Sequence, residues 1–358
     1  MESYLQCSFK KSNPHYTRDE DILTEARHFQ RSLQIHFYPC IGNIVAPNSK
    51  MAWKGFHINR WLAFTQVNGL TIIGSGTING RGAAWWSQPC LHKVPKGVTC
   101  KRPTALTFYR CNGLVLKGIR HINSQRNHIT ISNCKDVTFS NLHISAPKTS
   151  PNTDGIDISG SSNVQILNSF IGTVTSAIYD VDHEKLLFSY YWISAKQGDD
   201  CIAISSDSSH INITGIACGP GHGISIGALG AHGEDTVEEV HVRNCTLKGT
   251  MTGALEMHGG SHSRKSGSFE PIAPIIIDQY YCPSRVNCKN ETSGIRISDV
   301  SYRSIIGTST TDKVINLSSD QNVGCTDIQF NYVYISPRTF NAHGNYTHTS
   351  PVVKGVQA

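Results

Sequence analysis

Asp136-Val137-Thr138-Phe139 and, 27 residues later, Asn163-Val164-Gln165-Ile166 are one short strand written twice. In each, apolar residues alternate with polar ones after a polar turn, the pattern of a strand with one buried face. The run recurs as Gly113-Leu114-Val115-Leu116, His210-Ile211-Asn212-Ile213 and Glu239-Val240-His241-Val242. With Val115, Val137, Val164, Ile211 and Val240 as equivalent centres, the steps are 22, 27, 47 and 29 residues. Recurrence every ~20–30 residues in a β-patterned chain predicts an all-β fold, a right-handed parallel β-helix whose coils stack on one another. A β-sandwich would need tight hairpin signals about every 8–12 residues, and these are scarce. Asn112, Asn133, Asn163, Asn168 and Asn244 flank the strands and are expected to stack as a hydrogen-bonded ladder at the turns.

The step of 47 is the exception. Removing the 24 residues 174–197 reduces it to 23, one ordinary coil. That segment carries Tyr179, Asp180, Asp182, His183, Glu184, Tyr190, Tyr191 and Trp192, and it lacks the strand-and-turn signature. It is expected to be a loop extruded from the stack, a surface insertion, or an unspliced in-frame intron. Residues 1–40 also lack the repeat, so the expected organisation is an atypical segment 1–40 followed by one β-helix domain, 41–358.

Composition narrows the partners. Only 16% of residues are charged and the net charge is +6, which suits an acidic polymer. No dense Lys/Arg run with interleaved aromatics is present, so nucleic acid is not expected. No apolar run reaches the ~18 residues of a membrane span. Twelve cysteines, with Cys90/Cys100, Cys201/Cys218 and Cys282/Cys288 as local pairs, point to disulfides. Zinc is disfavoured because no Cys-x-x-Cys pair occurs. Five Asn-x-Ser/Thr triplets agree with secretion, whereas Met1-Glu2-Ser3-Tyr4-Leu5-Gln6 has no apolar signal-peptide core.

Four ionisable groups sit in glycine-bounded turns beside strands. They are Asp154 in Asn152-Thr153-Asp154-Gly155, Asp199 and Asp200 in Gly198-Asp199-Asp200-Cys201, and His222 in Gly221-His222-Gly223. With residues 174–197 set aside, Asp154 and Asp199 are 21 residues apart, one coil. Three carboxylates and an imidazole gathered in this way can protonate a leaving oxygen and activate a water, the chemistry of glycosidic hydrolysis. Each motif alone is commonly a turn, and an Asp-Asp pair alone is commonly a calcium-binding feature. It is their order on a repeating chain that carries the argument.

These motifs, with Cys218-Gly219-Pro220-Gly221-His222-Gly223-Ile224-Ser225-Ile226-Gly227 and Pro274-Ile275-Ile276-Ile277-Asp278-Gln279-Tyr280-Tyr281-Cys282, resemble those of the plant polygalacturonases of glycoside hydrolase family 28. The resemblance runs from about Asn43 to the C-terminus. It implies a β-helix that hydrolyses α-1,4-galacturonan with inversion and needs no metal or other cofactor. It further implies pectin as the substrate, a monomer, and a secreted protein of the cell wall. By the same resemblance Asp199 is the general acid, Asp154 and Asp200 activate the water, and His222 tunes the proton or contacts substrate. Asn152, Gly223 and Tyr281 are the implied substrate contacts. One departure stands out: the family's Arg-Ile-Lys triplet, 33 residues past the histidine, is Leu255-Glu256-Met257 here. Losing two cations that pair with substrate carboxylates is expected to weaken binding. The alternative is therefore an impaired pectin-binding homologue or a defective gene model. A calcium-dependent lyase is a third reading, which the hydrolase motifs disfavour.

Overall fold

The computed structural model describes residues 42–53, 59–86, 101–147, 150–175, 199–229, 235–250, 255–259, 275–280, 295–309, 313–337, 343–347 and 351–357. The segment 1–40, most of 174–197, Tyr281, and the pairs Cys90/Cys100 and Cys282/Cys288 lie outside these residues. The chain divides into two compact units. The first comprises residues 1–203, 208–221 and 238–249; the second comprises 204–207, 222–237 and 250–358.

The first unit is built from three parallel sheets, each receiving one strand per coil. One sheet runs Arg60–Thr65, Thr104–Tyr109, Ile129–Ser132, Ile156–Ser159, Ile202–Ile204. The second runs Thr71–Ile73, Leu114–Lys117, Lys135–Ser140, Ser162–Leu167, Ser208–Thr214, Val237–Arg243. The third runs Asn43–Val45, Thr77–Asn79, Arg120–Ile122, His143–Pro147, Phe170–Thr175, Ala217–Cys218, Thr246–Leu247. This is the right-handed parallel β-helix that the repeats predict.

Register explains the repeat. Leu114 pairs with Val137, Val137 with Val164, and Val164 with Ile211. All four side chains are fully buried, and each adds about 1.5–3 kcal/mol of apolar burial. Residue 115 was therefore the wrong centre: Val115 is half-buried beside Thr138, and the first step is 23. The 47-residue step is a single rung, because Val164 and Ile211 are direct neighbours across it. Inside the stack Phe64, Phe108 and Phe139 follow one another, with centroids 5.4 and 6.2 Å apart.

The asparagine ladder forms in part. The five residues belong to several turns, and Asn133, Asn163, Asn168 and Asn244 adopt a left-handed backbone. Asn141, Asn168, Gly215 and Asn244 occupy one column with φ of 53°, 47°, 70° and 51°, linked by Asn141 N–H to Leu167 O, Asn168 N–H to Thr214 O and Gly215 N–H to Arg243 O. Asparagine and glycine tolerate that conformation at least cost, which is why they recur at the corners. Side chains reach the next coil both to backbone and to side chains: Asn68 Oδ1 accepts from Asn112 N–H (3.0 Å), Asn112 Oδ1 accepts from Lys135 N–H (2.9 Å), Asn163 Nδ2 donates to Asp136 Oδ1 (2.6 Å) and Asn123 Nδ2 to Asn79 Oδ1 (3.4 Å).

The second unit carries the parallel series Ile224–Leu229, Leu255–Gly259, Ile275–Asp278, Lys313–Ser318, His343–Thr347. It also contains the sheet Ser301–Ser309, Gln329–Pro337, Val352–Gln357 and the pair Ile297–Ser298 with Cys325–Thr326. Ile275, Ile277, Leu317, Phe330 and Val333 form its core. Among the described residues no helix is long and apolar enough to cross a membrane.

Candidate active site

Three successive coils of the first unit meet where the Asn-Thr-Asp-Gly turn enters its strand. His128 N–H donates to Asp154 O (2.8 Å) and Ile129 N–H to Gly155 O (3.1 Å). One coil on, Gly155 N–H donates to Asp200 O (2.9 Å) and Ile156 N–H to Cys201 O (3.1 Å). Asp154 and the Asp199-Asp200 pair therefore occupy adjacent rungs, ~4.8 Å apart along the stack. The disulfide Cys201–Cys218, one of the expected pairs, ties the second of these rungs down immediately after Asp200.

The turn preceding Asp154 explains its own sequence. Ser150 and Thr153 are fully buried and bind each other (Oγ to Oγ1, 2.9 Å), while Thr153 Oγ1 donates to Ser150 O (3.1 Å). Asn152 takes a left-handed conformation (φ 52°) and faces outward. Arg102, two coils back, donates to Pro151 O (2.8 Å) and to Asn152 Oδ1 (2.5 Å). With its oxygen held this way, the Asn152 amide directs Nδ2 to Asp199 Oδ2 (3.2 Å). The other Asp199 oxygen accepts the Asp200 N–H (3.0 Å).

Burial, then the charges of Asp199, Asp157 and Asp200, hold Asp154 well above the usual carboxylate range. Asp157 is pushed up to about 8 by burial and by Asp199 and Asp200, with Arg126 opposing. Like charges this close cannot all ionise, and both shifts favour the protonated carboxyl. Arg102 is lowered by burial and by Arg126, while Asp199 and Asp154 act in the other direction.

Stability should follow this pattern. A carboxyl raised from ~3.9 unfolded to a folded value near 8 binds more protons in the native state between those limits, so unfolding free energy falls as pH rises through that window. Thermal melts should accordingly drop progressively from pH ~4 to ~8, and Asp157→Asn should flatten the slope.

Of the residues singled out by sequence, Asp154, Asp199, Asp200 and Asn152 converge in this unit. His222 and Gly223 lie in the second unit, at the entry to Ile224–Leu229; His222 is half-buried and Gly223 is buried with φ 123°. Leu255 and Met257 pair with Ile275 and Ile277 in that unit's sheet. Sequence reasoning missed Arg102, Arg126, Asn127, His128 and Asp157. The signal for Asp157 was present: in Ile156–Ser159 the buried residues are Ile156 and Ile158, so alternation sends Asp157 to the opposite face.

The family model described as Glycosyl hydrolases family 28 matches residues 40–188 and 175–350. A probable polygalacturonase of Arabidopsis thaliana is 43% identical over 303 residues, 82% of this chain and 59% of that protein. A polygalacturonase of Persea americana is 38% identical over 79% of this chain and 58% of its own length, and one of Malus domestica is 37% identical over 91% and 66%. The chain thus spans roughly three fifths of these relatives. Among solved structures, the polygalacturonase from Erwinia carotovora ssp. carotovora superimposes with a TM-score of 0.63 at 21% identity, over 86% of this chain and 81% of that one. A hyperthermoactive exopolygalacturonase from Thermotoga maritima gives 0.55 at 17% identity, over 83% and 72%. These two likenesses concern the fold.

Proposed function

The chain belongs to glycosyl hydrolase family 28, and from that premise we propose that it hydrolyses the α-1,4-galacturonan backbone of pectin with inversion. Asp199 protonates the glycosidic oxygen, while Asp154 and Asp200 direct the attacking water. By family resemblance His222 tunes the proton or contacts substrate, and Asn152, Gly223 and Tyr281 are substrate contacts.

The observation that carries this reading is the hydrogen bond of Gly155 N–H to Asp200 O, which sets Asp154 and the Asp199-Asp200 pair on adjacent coils. Inverting hydrolases keep acid and base ~6.5–9.5 Å apart to admit a water. Rungs ~4.8 Å apart with diverging side chains supply such a gap. A uronate polymer also needs cations. Arg126 is exposed and acts on Asp157, and Arg102 is held near Asp199 and Asp154; both support an acidic substrate in spite of Leu255 and Met257. The disulfide Cys201–Cys218 supports work in an oxidising, extracellular place such as the cell wall.

The test is release of reducing ends from polygalacturonic acid with a chelator present. Chelator-resistant release of saturated products is the expected result. Unsaturated products would instead identify a lyase, and pectin binding without any release would identify an inactive binder.

A further inference from the structure

Asp157 lies on Ile156–Ser159, three residues past Asp154, and its Oδ2 accepts a hydrogen bond from Asn127 Nδ2 on the preceding coil. Two more atoms of the same pair, Asp157 Oδ1 and Asn127 Oδ1, are buried without a hydrogen-bond partner among the described residues. While the carboxyl is ionised both oxygens are acceptors only, and neither can satisfy the other. Buried polar atoms in folded proteins are nearly always paired, so two orphans on one pair call for a cause. One proton on Asp157 Oδ1 resolves both. The acid O–H donates to Asn127 Oδ1 while Asn127 Nδ2–H donates to Asp157 Oδ2, closing a two-hydrogen-bond acid–amide ring.

Resting on the hydrolase reading above, we propose that Asp157 is a positioning residue of this site: a carboxyl kept protonated in a ring with the Asn127 carboxamide, whose ionisation sets the alkaline limit of the reaction. The charged and titratable groups around it are Asp154 on the same coil, Asp199 and Asp200 on the next, and Arg126 on the preceding one. Thr130 stands opposite it in register. Burial and the two negative neighbours on the next coil push the Asp157 proton affinity up to about 8, against the pull of Arg126 and Thr130. As the neutral acid, Asp157 fixes the coil without adding charge. Once ionised it opens the ring and adds a negative charge that tightens the proton on Asp154, so that Asp154 gives up that proton less readily to act on the water.

The experiment compares wild-type protein with Asp157→Asn and Asp157→Ala by infrared difference spectroscopy and by kcat/KM against pH on polygalacturonic acid. The protonated-carboxyl C=O absorption of wild type at neutral pH should include a component that titrates away near pH 8, and that component should be missing from Asp157→Asn. The alkaline limb of kcat/KM should move up by about one pH unit or more in Asp157→Asn. The amide can still pair with Asn127, so Asn should retain about tenfold more kcat/KM than Ala. If the Ala variant does not fold, the spectrum and pH profile of Asp157→Asn decide by themselves. Identical spectra overturn the protonated state; a lost band with an unmoved alkaline limb overturns the functional half; equal losses in Asn and Ala overturn the ring. A wild-type protein that releases no reducing ends sinks the hydrolase reading instead, and the infrared band still judges the proton.

Discussion

Replacing Asp199 by Asn should lower kcat on polygalacturonic acid by about 10²–10⁴-fold, the range that positioned proton transfer contributes. The fold should hold. In the native turn Asp199 accepts from Asp200 N–H and from Asn152 Nδ2. An asparagine keeps only one of these acceptors, because Arg102 fixes the Asn152 amide and prevents it from turning. Losing one such bond at a half-exposed site costs on the order of 1 kcal/mol, well short of unfolding. A sharper readout comes from the leaving group. If Asp199 delivers the proton, an activated aryl galacturonide, which needs little acid assistance, should recover most of the lost rate. A loss of equal size on both substrates would move Asp199 to the water-activating side, and undiminished turnover would remove it from the mechanism.

The parts of the molecule legible in the sequence are those with period. Val137, Val164 and Ile211 lie inward at every coil, and burial of a β-branched residue on each rung leaves a pattern that no other demand erases. The error at Val115 has a physical cause. Gly113, Asp136 and Asn163 all adopt left-handed backbone (φ 66°, 58° and 53°), so the equivalent anchor of each run is its turn residue, one place before the buried side chain. Counting from the middle of an apolar run slips by one. The aspartates were legible because glycine marks each of their turns. Arg102 and Asn127 were not, since a residue that serves a site from one or two coils away leaves no local signature. Only the stacking distance, 25 residues from Arg102 to Asn127 and 30 from Asn127 to Asp157, connects them, and insertions between coils blur that distance. The asparagine corners were legible in residue type, but the type serves two ends, left-handed backbone and hydrogen bonds to the next coil.

The largest structural effect should come from the smallest change, Gly155→Ala. A Cβ at this position would meet the Ile171 Cγ2 methyl and lie 2.5 Å from Cys201 O. The methyl can swing aside. The carbonyl cannot, because it accepts the Ile156 N–H of the same rung and its residue is pinned by the disulfide to Cys218. The two coils must therefore part where Asp154 sits against Asp200. Overpacking of this kind costs about 1–3 kcal/mol, and a displacement near 1 Å between reacting groups can cost about 100-fold in rate. Both losses should appear together, as a lowered melting temperature and a fall in kcat/KM. Gly307→Ala is the control: no atom lies within 4 Å of the added Cβ, and the change should stay within about 0.5 kcal/mol of wild type. Wild-type kinetics in Gly155→Ala would mean that the coils bearing Asp154 and Asp200 are not in contact there. The glycine of the Asn-Thr-Asp-Gly motif is thus required by packing: it lets one aspartate-bearing coil close against the next.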